Sequence, residues 1–166
     1  SFLDGNINLI SKTNIINSNS PLINKNIFQP QYVFLLFLIA CVFLSFRQIK
    51  YSLLYIYFDF TVFFISGVIG TLLIYLWFFT DHLSSFNYNL IWAVPFNLIF
   101  SFLLIFNFKS NLTRWYTIIN SAVLFSLLIL WNFLPQNLND ILILFVLGML
   151  LRMFSNYIYL IRSASR

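Results

Sequence analysis

Five stretches of nearly unbroken apolar residues alternate with short polar links. They cover residues 32–46, 51–79, 90–106, 115–134 and 141–161. Such a run, with few charges, reads as a helix crossing a bilayer, which takes about 20 residues. The first run opens after Pro30 and closes at Arg47, Gln48 and Lys50. It is short, so with its flanks it suits a thin or locally compressed bilayer. The second is long, and its ends project or tilt. Ser66, Gly67 and Gly70 give it a small-residue face, which lets helices approach closely in lipid. The third contains Pro95 about a turn inside its start, where proline kinks a helix or moves its beginning. Pro135 closes the fourth. Laying residues 32–46 in the interface would leave four spans, but an interfacial helix needs a polar face, and that run is almost uniformly apolar. The pattern therefore predicts an all-α fold, an integral membrane bundle of five transmembrane helices over residues 30–166. Residues 1–29, with Asn and Ser clusters and Pro21, read as an extracytoplasmic linker.

Charge gives the bundle a direction. The links after the first and third runs hold Arg47, Lys50, Lys109 and Arg114, and the tail holds Arg162 and Arg166. The links after the second and fourth runs hold no Lys or Arg; they hold Asp81, His82 and Asp140. Cytoplasmic loops carry the excess of Lys and Arg. The expectation is an amino terminus outside and a carboxyl terminus in the cytoplasm. Lys12 and Lys25 oppose it mildly, and a large translocated domain upstream would override them. The chain starts at Ser1 rather than Met and shows no secretory pattern there, so a piece of a longer chain is expected.

Composition agrees with lipid as the solvent. Of 166 residues, 61% are hydrophobic and 8% charged, against about 25% charged in soluble domains. The 22 Phe, with the many Ile, Asn and Tyr, partly reflect an AT-rich coding source. The net charge of +5 would point to nucleic acid in a soluble protein. Here the cations are dispersed between apolar runs, and no nucleic-acid partner is expected. Trp77, Trp92, Trp115 and Trp131 fall near span ends, as an interfacial aromatic belt would.

Two charged residues lie inside runs. Arg152 sits near the middle of the fifth, where insertion costs at least ~2.5 kcal/mol. Asp59 is the one acid within a run. An Asp59–Arg152 pair joining the second and fifth helices is predicted. It either only orients helices or leaves Arg152 to bind a lipid phosphate or substrate. The second constellation is the longer link: Asp81 and His82, then Asn87, Asn89 and Trp92. An Asp beside a His sets the imidazole tautomer and raises its basicity, and the amides both donate and accept. One His without Ser, Cys or a second His at a useful spacing is weak ground for catalysis. A purely structural loop and a substrate- or domain-docking loop both remain open. One His and the lone Cys41 leave no metal site and no internal disulfide. No cofactor is expected. Asn111 opens a glycosylation sequon, but on the expected cytoplasmic side.

Taken in order, these stretches resemble a known family. They are Gly67 and Gly70; Trp77-Phe78-Phe79-Thr80-Asp81-His82; Asn87-Tyr88-Asn89-Leu90-Ile91-Trp92 with Pro95; Trp131-Asn132-Phe133-Leu134-Pro135-Gln136-Asn137-Leu138-Asn139; and Leu151-Arg152. Over residues 30–160 or so the chain resembles the C-terminal five-helix membrane domain of Lnb-type lipoprotein N-acyltransferases of Bacteroidetes-like bacteria. The resemblance implies a periplasmic domain upstream with a cysteine-dependent acyl-transfer site. It also implies transfer of an acyl chain from a diacylglyceryl group to a lipoprotein's N-terminal amine, and the bacterial inner membrane as location. Cys41 does not match the family nucleophile, and no catalytic residue is expected in this segment. The implied partners are membrane lipids, the periplasmic domain of the same polypeptide and lipoprotein substrates. On this reading Asp81, His82, Asn87, Asn89 and Trp92 form the dock. The alternative is a structural subunit of a larger membrane complex. A small transporter or channel fits less well, because few polar residues line the spans and no inverted repeat is visible.

Overall fold

The computed structural model describes residues 29–47, 53–79, 87–106 and 110–164. Five α-helices account for most of them: α1 Pro30–Arg47, α2 Leu53–Phe79, α3 Phe96–Ile105, α4 Asn111–Leu130 and α5 Leu142–Ala164. Two 3₁₀ turns, Tyr88–Ile91 and Trp131–Phe133, precede α3 and follow α4. Four segments are long and apolar enough to cross a membrane: Leu53–Phe79, Tyr88–Ile105, Asn111–Phe133 and Leu142–Arg162. The apolar helix Pro30–Phe46 is shorter; at 1.5 Å per residue it is about 25 Å long, against a hydrocarbon core of about 30 Å.

Local chemistry sets the helix ends. Pro30 stands in the first turn of α1, where its missing N–H costs nothing. Pro95 moves the start of α3 rather than kinking it. Backbone bonds from Asn97 N–H to Val94 O (2.9 Å) and Leu98 N–H to Pro95 O (3.0 Å) close the first turn around it. The apolar run before Pro95 folds instead as the 3₁₀ turn, so this span has only ten residues of α-helix. Ser110 caps α4 by accepting from the Thr113 N–H at 3.1 Å. The fourth helix therefore begins at Asn111, ahead of the apolar run at 115. Asn139 turns the chain into α5, its side chain accepting from the Ile141 N–H at 3.1 Å.

The register follows from the contacts. Phe34 and Phe37 meet Phe145, Gly148 lies against Phe37 and Cys41, and Ser45 meets Arg152. Both numbers rise together, so α1 and α5 run parallel along the length of α1. This places α1 within the bundle as a fifth rod and leaves no room for a surface-lying reading. Between α2 and α3 the numbers run in opposite senses: Phe60 with Phe102, Phe63 with Phe100, Gly67 with Leu98, Gly70 with Ala93. Pro30 and Ala164 consequently lie at opposite ends of the bundle. The end carrying both 3₁₀ turns is termed the turn end.

One expectation needs correction. Trp92 and Trp131 do not ring the lipid-facing surface. They are buried, at 6% and 5% exposure, in the core with Phe63, Phe100, Leu124 and Met149. The 3₁₀ turns fold them inward, and each indole N–H finds an oxygen: Asn89 Oδ1 at 2.9 Å for Trp92 and Asp140 Oδ1 at 3.2 Å for Trp131. A buried indole N–H needs such a partner. Trp115, at the other end, is exposed as a belt residue would be.

Candidate functional site

Three polar clusters sit among the apolar helices. The first joins α1, α2 and α5. Arg152 donates through Nε to Asp59 Oδ1 at 2.6 Å and through Nη2 to Asp59 Oδ2 at 2.8 Å. This is the two-pronged arrangement that matches a planar guanidinium to a carboxylate. Asn156, one turn along α5, donates to Asp59 Oδ2 at 3.0 Å. Arg152 Nη1 donates to Ser45 Oγ at 3.3 Å, and that hydroxyl donates to the Cys41 carbonyl at 2.7 Å. The Phe58 ring lies 6.0 Å from the guanidinium carbon. Both charged side chains are fully buried. A lipid phosphate therefore has no path to Arg152 in this arrangement, and the pair holds three helices together.

The second cluster joins α2, α3 and α4 around Asn97. Its amide nitrogen donates to Ser66 Oγ at 2.9 Å and to the Trp92 carbonyl at 3.3 Å. Its amide oxygen accepts from Tyr116 Oη at 2.6 Å and from Asn120 Nδ2 at 3.0 Å. Ser66 also donates to the Trp92 carbonyl at 3.1 Å. That carbonyl is freed because Pro95 interrupts the helix just after it, so the cluster meets a need the proline creates. Replacing Asn97 by leucine strands the Tyr116 hydroxyl and the Asn120 amide in the bundle interior. Unmade buried bonds cost about 1–3 kcal/mol, although interhelical bonds in lipid average only ~0.6. The expected loss for N97L is about 1–3 kcal/mol, read as a lower unfolding temperature in detergent. Wild-type stability would show that the amide has no structural weight.

The third cluster ties the turn end. Asn87 Oδ1 accepts from the Asn89 backbone N–H (3.0 Å) and side-chain Nδ2 (2.9 Å), and Asn89 Oδ1 accepts from the Trp92 indole. The Tyr88 N–H donates to Gln136 Oε1 at 2.8 Å. This last bond straps the link before α3 to the link before α5.

The structure thus brings Asp59 to Arg152, and Asn87 and Asn89 to Trp92. Asp81 and His82 lie outside the described residues. Sequence reasoning overlooked Ser45 and Asn156 around the ion pair, and Ser66, Asn97, Tyr116 and Asn120 as a hub. Asn156 was findable, since it lies four residues from Arg152 on one helix face. Gln136 was read only as part of a turn, and nothing local distinguishes it from its neighbour Asn137. Among the described residues no three His, Cys, Asp or Glu side chains gather in a way that could hold a metal. Cys41 is a buried thiol packed beside Gly148.

Apolar helices of membrane-spanning length, with Asp59 and Arg152 buried between them as a closed pair, define a multi-pass, all-helical membrane domain. Residues 22–164 match the family model of the Lnb transmembrane domain, and the chain belongs to that family. No curated protein and no solved structure matches it.

Proposed function

We propose that this chain anchors and docks the acyl-transfer domain of a lipoprotein N-acyltransferase at the outer face of a bacterial inner membrane. Membership of the Lnb transmembrane family carries the reading. The charge pattern supports its direction: the links at the turn end lack Lys and Arg, as links outside the cytoplasm commonly do. The strap from Tyr88 to Gln136 supports the docking role, because it makes two links into one platform. Asp81 and His82 precede that platform in the chain and complete the dock. The partners are membrane lipids, the periplasmic domain of the same polypeptide and lipoprotein substrates.

The task needs such a platform. Acyl chains leave a bilayer at a cost of about 0.8 kcal/mol per CH₂, so the reaction must come to the membrane. Alignment of reactants supplies as much as ~7–11 kcal/mol of a barrier, and a domain tethered loosely above the bilayer forfeits part of it. The chemistry is assigned to the upstream domain, and the bundle supplies height and orientation.

In the full-length parent protein, His82→Ala and Gln136→Ala are expected to lower N-acylation of a reporter lipoprotein without changing expression or helicity. Mass spectrometry of the reporter's amino-terminal peptide reads the effect. Full acylation with unchanged cross-linking between the two domains would defeat the docking role. A membrane-impermeant maleimide should reach a cysteine at position 136 in intact cells and fail to reach one at 166. The reverse labelling would overturn the orientation.

A further inference from the structure

At the turn end α1 and α5 stop well short of α2. Phe37 meets Phe145, and Cys41 lies against Gly148, which sets Pro30 level with the link ahead of α5. Both starts are polar. Gln31 donates to Gln29 Oε1 at 2.7 Å at the head of α1, and Asn139 and Asp140 are exposed just before α5. Two contacts compare α1 with α2. From the stack of Phe37 on Phe58, 7 residues of α1 and 21 of α2 remain toward the turn end. From the bridge that Arg152 makes between Ser45 and Asp59, 15 and 20 remain. At 1.5 Å per residue, α2 outruns α1 by about 8–20 Å. Toward the other end, the first contact sets Phe46 four residues beyond Leu53 and the second sets it five residues short. Those ends are about level, so the difference in length falls at the turn end.

The outrunning part of α2 is apolar all round. Of the nine residues 71–79, seven are exposed, among them Leu72, Ile74, Tyr75, Phe78 and Phe79. Such a helix end needs hydrocarbon around it. The starts of α1 and α5 need water or headgroups, because the backbone ahead of a helix finds no partners inside a bilayer. A flat leaflet fails one of them: it wets the end of α2 or sinks the head of α1. Tilting the bundle does not reconcile the two. Packed helix axes lie about 10 Å apart, so levelling even 8 Å takes a tilt of roughly 40°, the extreme of the observed range. Straining the leaflet is milder than either failure.

We infer that the domain holds the leaflet at its turn end thin beside α1 and α5 and at full height around the end of α2. The surface that does this to the lipid is the outer side of α1, where Val33, Leu36 and Ile39 are exposed. A lipid in the thin strip buries less of each chain and so leaves the bilayer at lower cost. The inference stands on helix lengths and register, and the proposed function is not needed for it.

Depth measurements on the full chain in dioleoylphosphatidylcholine vesicles test it. Single nitroxides are attached through Val33→Cys, Tyr75→Cys, Phe46→Cys or Leu53→Cys on a Cys41→Ala background. All four labelled positions are exposed. Depth is read from the ratio of spin relaxation by oxygen to that by a water-soluble nickel chelate. Val33 lies three residues inside the start of α1, and Tyr75 four inside the end of α2. In a leaflet that follows both helices, these two labels should be equally deep to within about 3 Å. A Val33 label deeper by about 8 Å or more, or a Tyr75 label as open to nickel as one in water, would mean a flat leaflet and overturn the inference. So would a tilt, which levels this pair only by offsetting Phe46 from Leu53 by a similar ~8 Å or more. Inserting four leucines after Gln31 lengthens the apolar part of α1 by about 6 Å and should carry the Val33 label that much deeper. An unchanged depth in that variant would show that α1 does not set the height of the leaflet.

Discussion

Replacing Arg152 by alanine is expected to be among the most destabilising single changes in the chain. The substitution leaves Asp59 fully buried, with two of its hydrogen bonds gone and only Asn156 still donating among the bonds described above. Breaking one side of a buried pair costs about 3–5 kcal/mol, because the remaining charge stays unpaired. Domains hold only about 5–15 kcal/mol in total, so R152A removes a large share. Loss of monodisperse protein in detergent, with a sharply lowered unfolding temperature, is the expected readout. R152K keeps the charge but not the planar fork that reaches both carboxylate oxygens, and should fall between alanine and wild type. The double variant D59L/R152M separates pairing from packing. Removing both charges takes away the unpaired ion, and such replacements are often neutral or better. It should recover most of what R152A loses. A stable R152A, or a double variant no better than the single one, would mean that the pair does not hold α1, α2 and α5 together.

That pair was legible in the sequence for a physical reason that does not extend to the other clusters. Lipid makes charge so costly that one acid and one base inside apolar runs point at each other. Asparagine carries no comparable signal. The chain has many, and nothing at position 97 announces that one amide will serve four partners. The hub exists because Pro95 starts α3 at Phe96 and leaves the Trp92 carbonyl without a helical donor. Its geometry could be read only once that start was known. The runs themselves were legible because a lipid-facing helix must be apolar along its length, and their ends shifted only where capping chemistry intervened, as at Ser110. Trp92 and Trp131 were misjudged for a related reason. A tryptophan at the end of an apolar run sits at the right height for a belt, but height does not say which way the ring turns. The 3₁₀ turns decide that, and they turn both rings inward.

Gly70 tests the same dependence from the other side of the helix pair. A methyl group there would collide with the Ala93 carbonyl oxygen, with the Ala93 carbonyl carbon and Pro95 nitrogen at 2.7 and 2.9 Å. At Gly67 it would run into the Leu98 backbone, whose Cα would lie at 2.7 Å. These neighbours are backbone atoms, so relief requires α2 and α3 to separate. Separation would also pull Ser66 from the Trp92 carbonyl and from Asn97. Overpacking costs about 1–3 kcal/mol, occasionally more, and the helix-propensity gain of alanine over glycine returns at most ~1. G70A should therefore destabilise, and G70L should do so more strongly, since the larger side chain cannot be housed by a small shift. Gly148 provides the contrast. A methyl there meets the Phe37 ring and the Cys41 sulfur, side-chain atoms that can rotate aside. The expected order of harm for alanine substitutions is Gly70 and Gly67 above Gly148, read from unfolding temperatures of the purified chain in one detergent. If G148A proved the most damaging, or G70L unfolded with the wild type, close backbone contact between α2 and α3 would not be what fixes the turn end.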